Sequence, residues 1–270
     1  MKYLLGITNK FIDFDQEPKE WINSWKEVNR DNLIDGFEIY MNMKDEKENE
    51  YYLALVEELI KEDWIVQVHA PDIDKCLNDR MITYLVKLAS SLNNPLKVNV
   101  HPVSSTISME HNKKLTIEAA NQLEAAIKGK NICFVVENLN KVQNPFRLYK
   151  DDFQEIFHKN TKIGFCWDVG HEVDDEICTY SLPEIFEENL QSIHLHDVNE
   201  LSDHQPFYYD NTNLGKLTDY LESINYKREI VFEIAYDYLE GNSLRKKQIE
   251  YLRQVEKFQG HRGQVPRPTY

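Results

Sequence analysis

The stretch KIGFCWDVGH, residues 162–171, decides how the rest of the chain is read. Residues 162–167 are a short, mostly apolar run, the pattern of a buried strand. Asp168 stands where that strand ends, and His171 follows three residues later across Gly170. A carboxylate and an imidazole at a strand end suit a divalent cation such as Zn²⁺ or Mn²⁺, and the glycine lets the backbone turn sharply between them. A plain turn would use the same residues. The two readings part on whether other strands end in the same way.

Strand and helix patterns alternate along the whole chain. Strands are expected at 3–8, 36–40, 64–69, 97–101, 132–137, 163–167, 192–196 and 230–233. Helices are expected at 17–29, 50–62, 73–92, 109–128, 145–158, 182–189, 214–224 and 243–258. The first helix shows the logic: Trp21, Ile22, Trp25 and Val28 form one apolar stripe, with Pro18 near its start. Most strands are continuous apolar runs, as in a parallel sheet covered by helices. This count and length predict a single (β/α)₈ barrel over residues 1–258, with a doubly wound open sheet as the alternative. Residues 259–270 carry Pro and Gly but no apolar stripe and are read as an unpacked tail.

Of the 270 residues, 41% are hydrophobic and 29% charged, ordinary for a globular protein. No apolar run of about 18 residues exists, so no spanning helix is expected. The apolar run near the N-terminus is too short for a signal peptide and reads as the first strand. Cys76, Cys133, Cys166 and Cys178 form no C-x-x-C pair and are read as reduced thiols of a cytoplasmic protein. The net charge of −15 argues against a duplex-DNA partner, because phosphate backbones are bound by basic surfaces.

The strand ends repeat the chemistry of residues 162–171. In order they carry Glu38, His69, His101, Glu137 with Asn138, Asp168 with His171, His194 and His196, and Glu233; Asp203 and His204 follow the seventh strand. Six of the nine histidines therefore lie at strand ends or just after. Any one of them would pass as a core or loop histidine. Six in register with Glu137, Asp168 and Glu233 would not, since crowded carboxylates need cations nearby.

On these residues the chain resembles the xylose isomerase-like TIM-barrel superfamily, which includes endonuclease IV (AP endonuclease family 2) and many sugar isomerases and epimerases. The resemblance implies a metal site at the C-terminal ends of the strands, with Glu137, Asp168, His194 and Glu233 around one divalent ion. It implies a second ion on His69, His101 and Glu137, as in the endonuclease IV-like members, and a third on His171 and His204. Ser202 replaces the acid those members place two residues before the last histidine, with Asp203 adjacent, and the segment 205–212, QPFYYDNT, is an unusual insert. His194 takes the ligand place and His196 the variable one; a two-residue register shift would exchange them, because both point to one side.

One to three Zn²⁺ or Mn²⁺ ions are thus expected. Several ions favour hydrolysis of a phosphoester in a small phosphorylated molecule or cofactor, and His69 and His101 rank that reaction first. The alternative is a mononuclear sugar or sugar phosphate isomerase or epimerase with Glu137 and Glu233 as its acid–base pair. Cleavage of DNA at apurinic sites ranks below both. Glu38, Asn138, His196, Asp203, Phe207 and Tyr208 are read as weaker, substrate-facing candidates, the last two as an aromatic wall.

Overall fold

The computed structural model describes residues 1–41, 46–141, 144–148, 152–159, 162–200 and 202–261. Its strands are β1 (Lys2–Ile7), β2 (Gly36–Tyr40), β3 (Ile65–Ala70), β4 (Leu96–Val100), β5 (Ile132–Glu137), β6 (Gly164–Asp168), β7 (Leu190–Leu195), β8 (Asp197–Asn199), β9 (Ser202–Gln205) and β10 (Glu229–Phe232). All but β8 and β9 close into one parallel barrel in the order β1-β10-β7-β6-β5-β4-β3-β2. The expected (β/α)₈ barrel is therefore the fold, and the open sheet is excluded by the β1–β10 pairing.

The helices are α1 (Pro18–Val28), α2 (Glu46–Lys61), α3 (Asp79–Ser90), α4 (Met109–Ala126), α5 (Phe153–Lys159), α6 (Val169–Asp174), α7 (Glu184–Asn189), α8 (Leu214–Ser223) and α9 (Leu244–Gly260). Short polar residues start several of them: Asn78, Ser108, Asn213 and Ser243 each accept a backbone N–H of the first turn. The helix expected over 73–92 begins instead at Asp79, because Asn78 caps it and a separate 3₁₀ turn, Lys75–Leu77, precedes it. Two short elements went unpredicted, α6 and the antiparallel β8–β9 hairpin. Helix α9 runs two residues beyond its expected end, and residues 262–270 of the expected tail lie outside the described residues.

The apolar core lies between the barrel and its helices. Trp21 and Trp25 of α1 pack on Phe37 of β2, and Phe153 and Phe157 of α5 pack on Phe165 of β6. Tyr251 of α9 stitches the barrel seam: its hydroxyl accepts the Ile234 N–H and donates to the carbonyls of Gly6 and Phe232. The strand interior is polar by contrast, with Glu38, Gln67, Asn99, Ser192 and His194 all buried. A bulge aims β7: Phe165 pairs with Leu190 but Cys166 with Ser192, which leaves Gln191 extra. No helix among the described residues is long and apolar enough to cross a membrane.

Candidate metal centre

Asp168 ends β6 and caps α6. Its Oδ1 accepts the His171 backbone N–H at 2.7 Å, so the Asp-Val-Gly-His stretch is a strand-to-helix junction. Gly170 has no positive φ. Its lack of a side chain matters for another reason: a Cβ there would lie 2.2 Å from the His196 ring. The glycine admits an imidazole rather than a sharp turn.

Parallel register brings the other strand ends to the same mouth. His69 pairs across to Asn99, Glu137 to Cys166, and Asp168 to His194. Three overlapping donor groups result, each with one ligand atom per residue within 4.8 Å of the others: His69, Glu137, His194 and Glu233; Glu137, Asp168 and His171; and His171, His196 and His204. His194 Nδ1 lies 2.7 Å from Glu233 Oε2, 3.1 Å from Glu137 Oε2 and 4.0 Å from Asp168 Oδ2. His69 Nε2 is 3.4 Å from Glu137 Oε2. His101 stands further off, 3.9 Å from Glu137 Oε1, with Asp72 3.8 Å from its other nitrogen.

Most of these rings have one nitrogen anchored on the protein. Nδ1 of His69 faces the Ala70 carbonyl at 3.1 Å, and Nδ1 of His171 the Asn138 carbonyl at 2.8 Å. Nδ1 of His196 lies 3.0 Å from both the Asp197 carbonyl and the His204 N–H, so either tautomer has a backbone partner. His194 is reversed: its Nε2 meets Glu38 Oε1 at 3.0 Å, and Nδ1 faces the mouth. An anchored nitrogen fixes the tautomer and frees the other for a cation, the usual arrangement of metal-binding histidines. At His171 the anchored Nδ1 also lies 3.5 Å from Asp168 Oδ2, and Nε2 faces Asp203.

Those mouth-facing atoms fit a cation. Asp168 Oδ2, Glu233 Oε2, His194 Nδ1 and His196 Nε2 are buried and make no hydrogen bond, even where they lie within 3 Å of one another. Buried polar atoms are rarely left this way without a further partner. In the metal-free centre protons do part of a cation's work. Burial lowers the His69 pKa, but its hydrogen bond to Glu137 and the nearby Glu charges outweigh this and raise it to about 9. Burial likewise lowers His196, and Asp168 outweighs it, again to about 9. Burial wins at His101, pushing it down to about 4. Burial raises the carboxyl pKa values of Glu137, Asp168 and Glu233, yet the imidazoles hold all three below the usual range.

The weaker candidates fall in different places. Asp203 reaches the centre, 3.0 Å from His204 Nδ1 and 3.9 Å from His171 Nε2. His196 sits inside it, 3.3 Å from Asp168 Oδ1. Glu38 lies beneath His194, only 1% exposed. Asn138 spends its amide on the Asp168 backbone, donating to its carbonyl and accepting its N–H, both at 2.8 Å. Phe207 is core, packed on Phe232, and Tyr208 donates to Glu250 of α9, so this pair forms no wall over the mouth. Sequence reasoning missed Asn99, which donates to Glu137 Oε2. The signal was available: Asn99 is two residues before His101 on the same strand face.

Residues 34–255 match the family model described as a xylose isomerase-like TIM barrel. No curated protein matches the sequence. Among solved structures, the apo form of 3-keto-D-glucoside 4-epimerase from E. coli is 17% identical, with a TM-score of 0.66 over 95% of this chain and 99% of that one. D-psicose 3-epimerase from Clostridium cellulolyticum H10, solved with D-tagatose, is 13% identical, with a TM-score of 0.65 over 96% and 97%. The IolI protein with a bound zinc atom is 12% identical, with a TM-score of 0.62 over 96% of each chain. At such identities the likeness is one of fold.

Proposed function

The chain belongs to the xylose isomerase-like TIM-barrel family, and from that membership we propose that it is a metal-dependent isomerase or epimerase of a keto sugar. The observation that carries this reading is the placement of Glu137 and Glu233. They come from β5 and from the end of β10, and both approach His194 Nδ1, at 3.1 and 2.7 Å. Two carboxylates flanking one centre are what proton removal and return at a sugar carbon require. The solved folds it resembles include two sugar epimerases. This reverses the order reached from sequence, where His69 and His101 placed phosphoester hydrolysis first.

His69, Glu137, His194 and Glu233 would hold a divalent ion, with Asp168 Oδ2 beside them, 4.0 Å from His194 Nδ1. A bound ion supplies Lewis-acid polarisation of the sugar carbonyl and adjacent hydroxyl. The chain's own residues do the rest. Glu137, buried and braced by Asn99, takes the proton from the carbon beside the carbonyl, leaving an enediolate. Glu233, the more exposed of the two, exchanges with solvent and returns a proton to the opposite face or to the neighbouring carbon. Glu38 and Asn138 act as positioning residues, through His194 and the Asp168 backbone respectively.

A second reading keeps some support. The His171, His196 and His204 group lies beside the first, so several ions have donors, and adjacent ions favour phosphoester hydrolysis. The test is to load purified protein with Mn²⁺ or Zn²⁺ and assay ketoses in D₂O beside a chromogenic phosphodiester. The expected result is deuterium at the carbon next to the carbonyl, lost in Glu137→Gln and Glu233→Gln. Phosphodiester cleavage without ketose exchange would select the hydrolase.

A further inference from the structure

A cavity of about 240 Å³ adjoins the metal centre on the side of β10, β1 and β2. Thr8, Asn9 and Lys10 follow β1, Tyr40 ends β2, and Ala235 and Tyr236 come just after Glu233. It shares a wall with the centre, since the Tyr40 ring stands 5.2 Å from the His69 ring. Anything held here is next to the proposed acid–base pair.

The lining is aromatic and fixed. Tyr236 is met edge-on by Phe11 at 4.8 Å, and the Lys247 ammonium sits 4.4 Å from its centroid. Tyr52 is edge-on to Phe14 at 5.7 Å. Around these rings, the side chains of Thr8 and Asn9 and the phenols of Tyr40 and Tyr236 make no hydrogen bond to any described residue, leaving donors and acceptors for a ligand. Rigid aromatic faces rimmed by neutral polar groups suit a ligand with C–H faces and hydroxyl edges.

Charge narrows the class further. Among the described residues Lys10 is the one cation in the lining, and Asp237 holds it. Lys247 nearby donates to the Tyr236 and Leu239 carbonyls. Asp72, near Tyr40, is paired with Lys75 at 2.6 Å. A phosphate asks for free Arg or Lys, or for several convergent N–H groups. The cations at the cavity, Lys10, Lys75 and Lys247, are already engaged.

From this geometry we infer that the cavity holds the non-reacting part of the substrate, and that this part is an uncharged hydroxylated ring. The substrate is then a glycosylated keto sugar rather than a free or phosphorylated one. The inference rests on the isomerase or epimerase reading above.

The test separates the two. Metal-loaded protein is titrated with methyl glucoside and with glucose 6-phosphate, followed by ligand-observed NMR, and exchange in D₂O is measured in parallel on free ketoses and on a methyl keto-glycoside. Methyl glucoside should bind more tightly than the phosphate. Tyr236→Ala should weaken it about tenfold. The exposed Asn9→Ala should weaken it several-fold and guards against a folding defect in the first variant. Ketose exchange without methyl glucoside binding, or binding that both variants leave unchanged, overturns the inference and spares the reaction. Phosphate binding at least as tight also overturns it. Glucoside binding lost in both variants, with neither a free ketose nor a methyl keto-glycoside exchanged, supports the cavity's role and sinks the reaction instead.

Discussion

The imidazoles of the centre differ in which nitrogen faces the mouth, and His194 is the reversed one. His69 and His171 lean on backbone carbonyls, whereas His194 leans on the Glu38 carboxylate at 3.0 Å. A carboxylate partner makes an imidazole a stronger donor to a cation than a carbonyl does. Glu38→Gln keeps the shape and a hydrogen bond but removes the charge, so metal affinity should fall about 10–100-fold. Competition against a chromophoric chelator measures this, and an unchanged affinity would remove Glu38 from the account. Part of the pattern was legible in sequence. His194 and His196 sit two apart on a strand, so both had to face inward. Their division of labour was not legible, because Glu38 comes from β2 across the barrel and meets His194 only once the barrel closes. Phe207 and Tyr208 were read from residue type alone, and nothing local showed that they turn toward α9.

At the next scale, the junction of β6 and α6 gives Asp168 two tasks. Oδ1 caps α6 through the His171 N–H, and Oδ2 is left free at the mouth. The two tasks can be separated. Asp168→Asn retains a carbonyl oxygen for the cap and loses the anionic donor. In EDTA it should keep helix content and melting temperature near wild type, and when loaded it should hold at least one equivalent less of metal than wild type. Asp168→Ala loses both and should be destabilised by about 1 kcal/mol more, the usual worth of an N-cap. Elemental analysis beside thermal melts decides: full metal content in the Asn variant would make Asp168 a cap alone. The Asp-x-x-His spacing was visible in sequence, but the helix it starts was not. Six residues, Val169–Asp174, are too few to show helical periodicity, and β8 and β9 are shorter still. The break at Asn78 hid for a similar reason, since apolar residues on both sides continued one stripe.

For the whole molecule, eight strand–helix alternations made the barrel readable, because each strand had to be buried and each helix had one apolar face. What sequence could not show is how far the closed barrel depends on its mouth. Glu137, Asp168 and Glu233 converge there with Glu38 beneath, and protons on His69 and His196 partly balance them. Both histidines have pKa values raised from 6.5 to about 9 in the metal-free protein. A raised pKa contributes stability that is fully present below the unfolded value of about 6.5 and is lost as pH rises through the folded value. The metal-free barrel should therefore lose stability between about pH 6.5 and 9 from these two groups. A bound divalent ion would replace the protons and tie together strand ends that carry these ligands, and its affinity would rise as the ligands deprotonate. At free metal a hundred times its Kd, linkage adds about 2.7 kcal/mol, roughly 5–10 °C in melting temperature for a domain of this size. Melts with Zn²⁺ and with EDTA across that range should show a gap that widens toward pH 9. A gap that is absent, or that narrows with rising pH, would mean that the histidines and carboxylates at this mouth do not act as a metal centre.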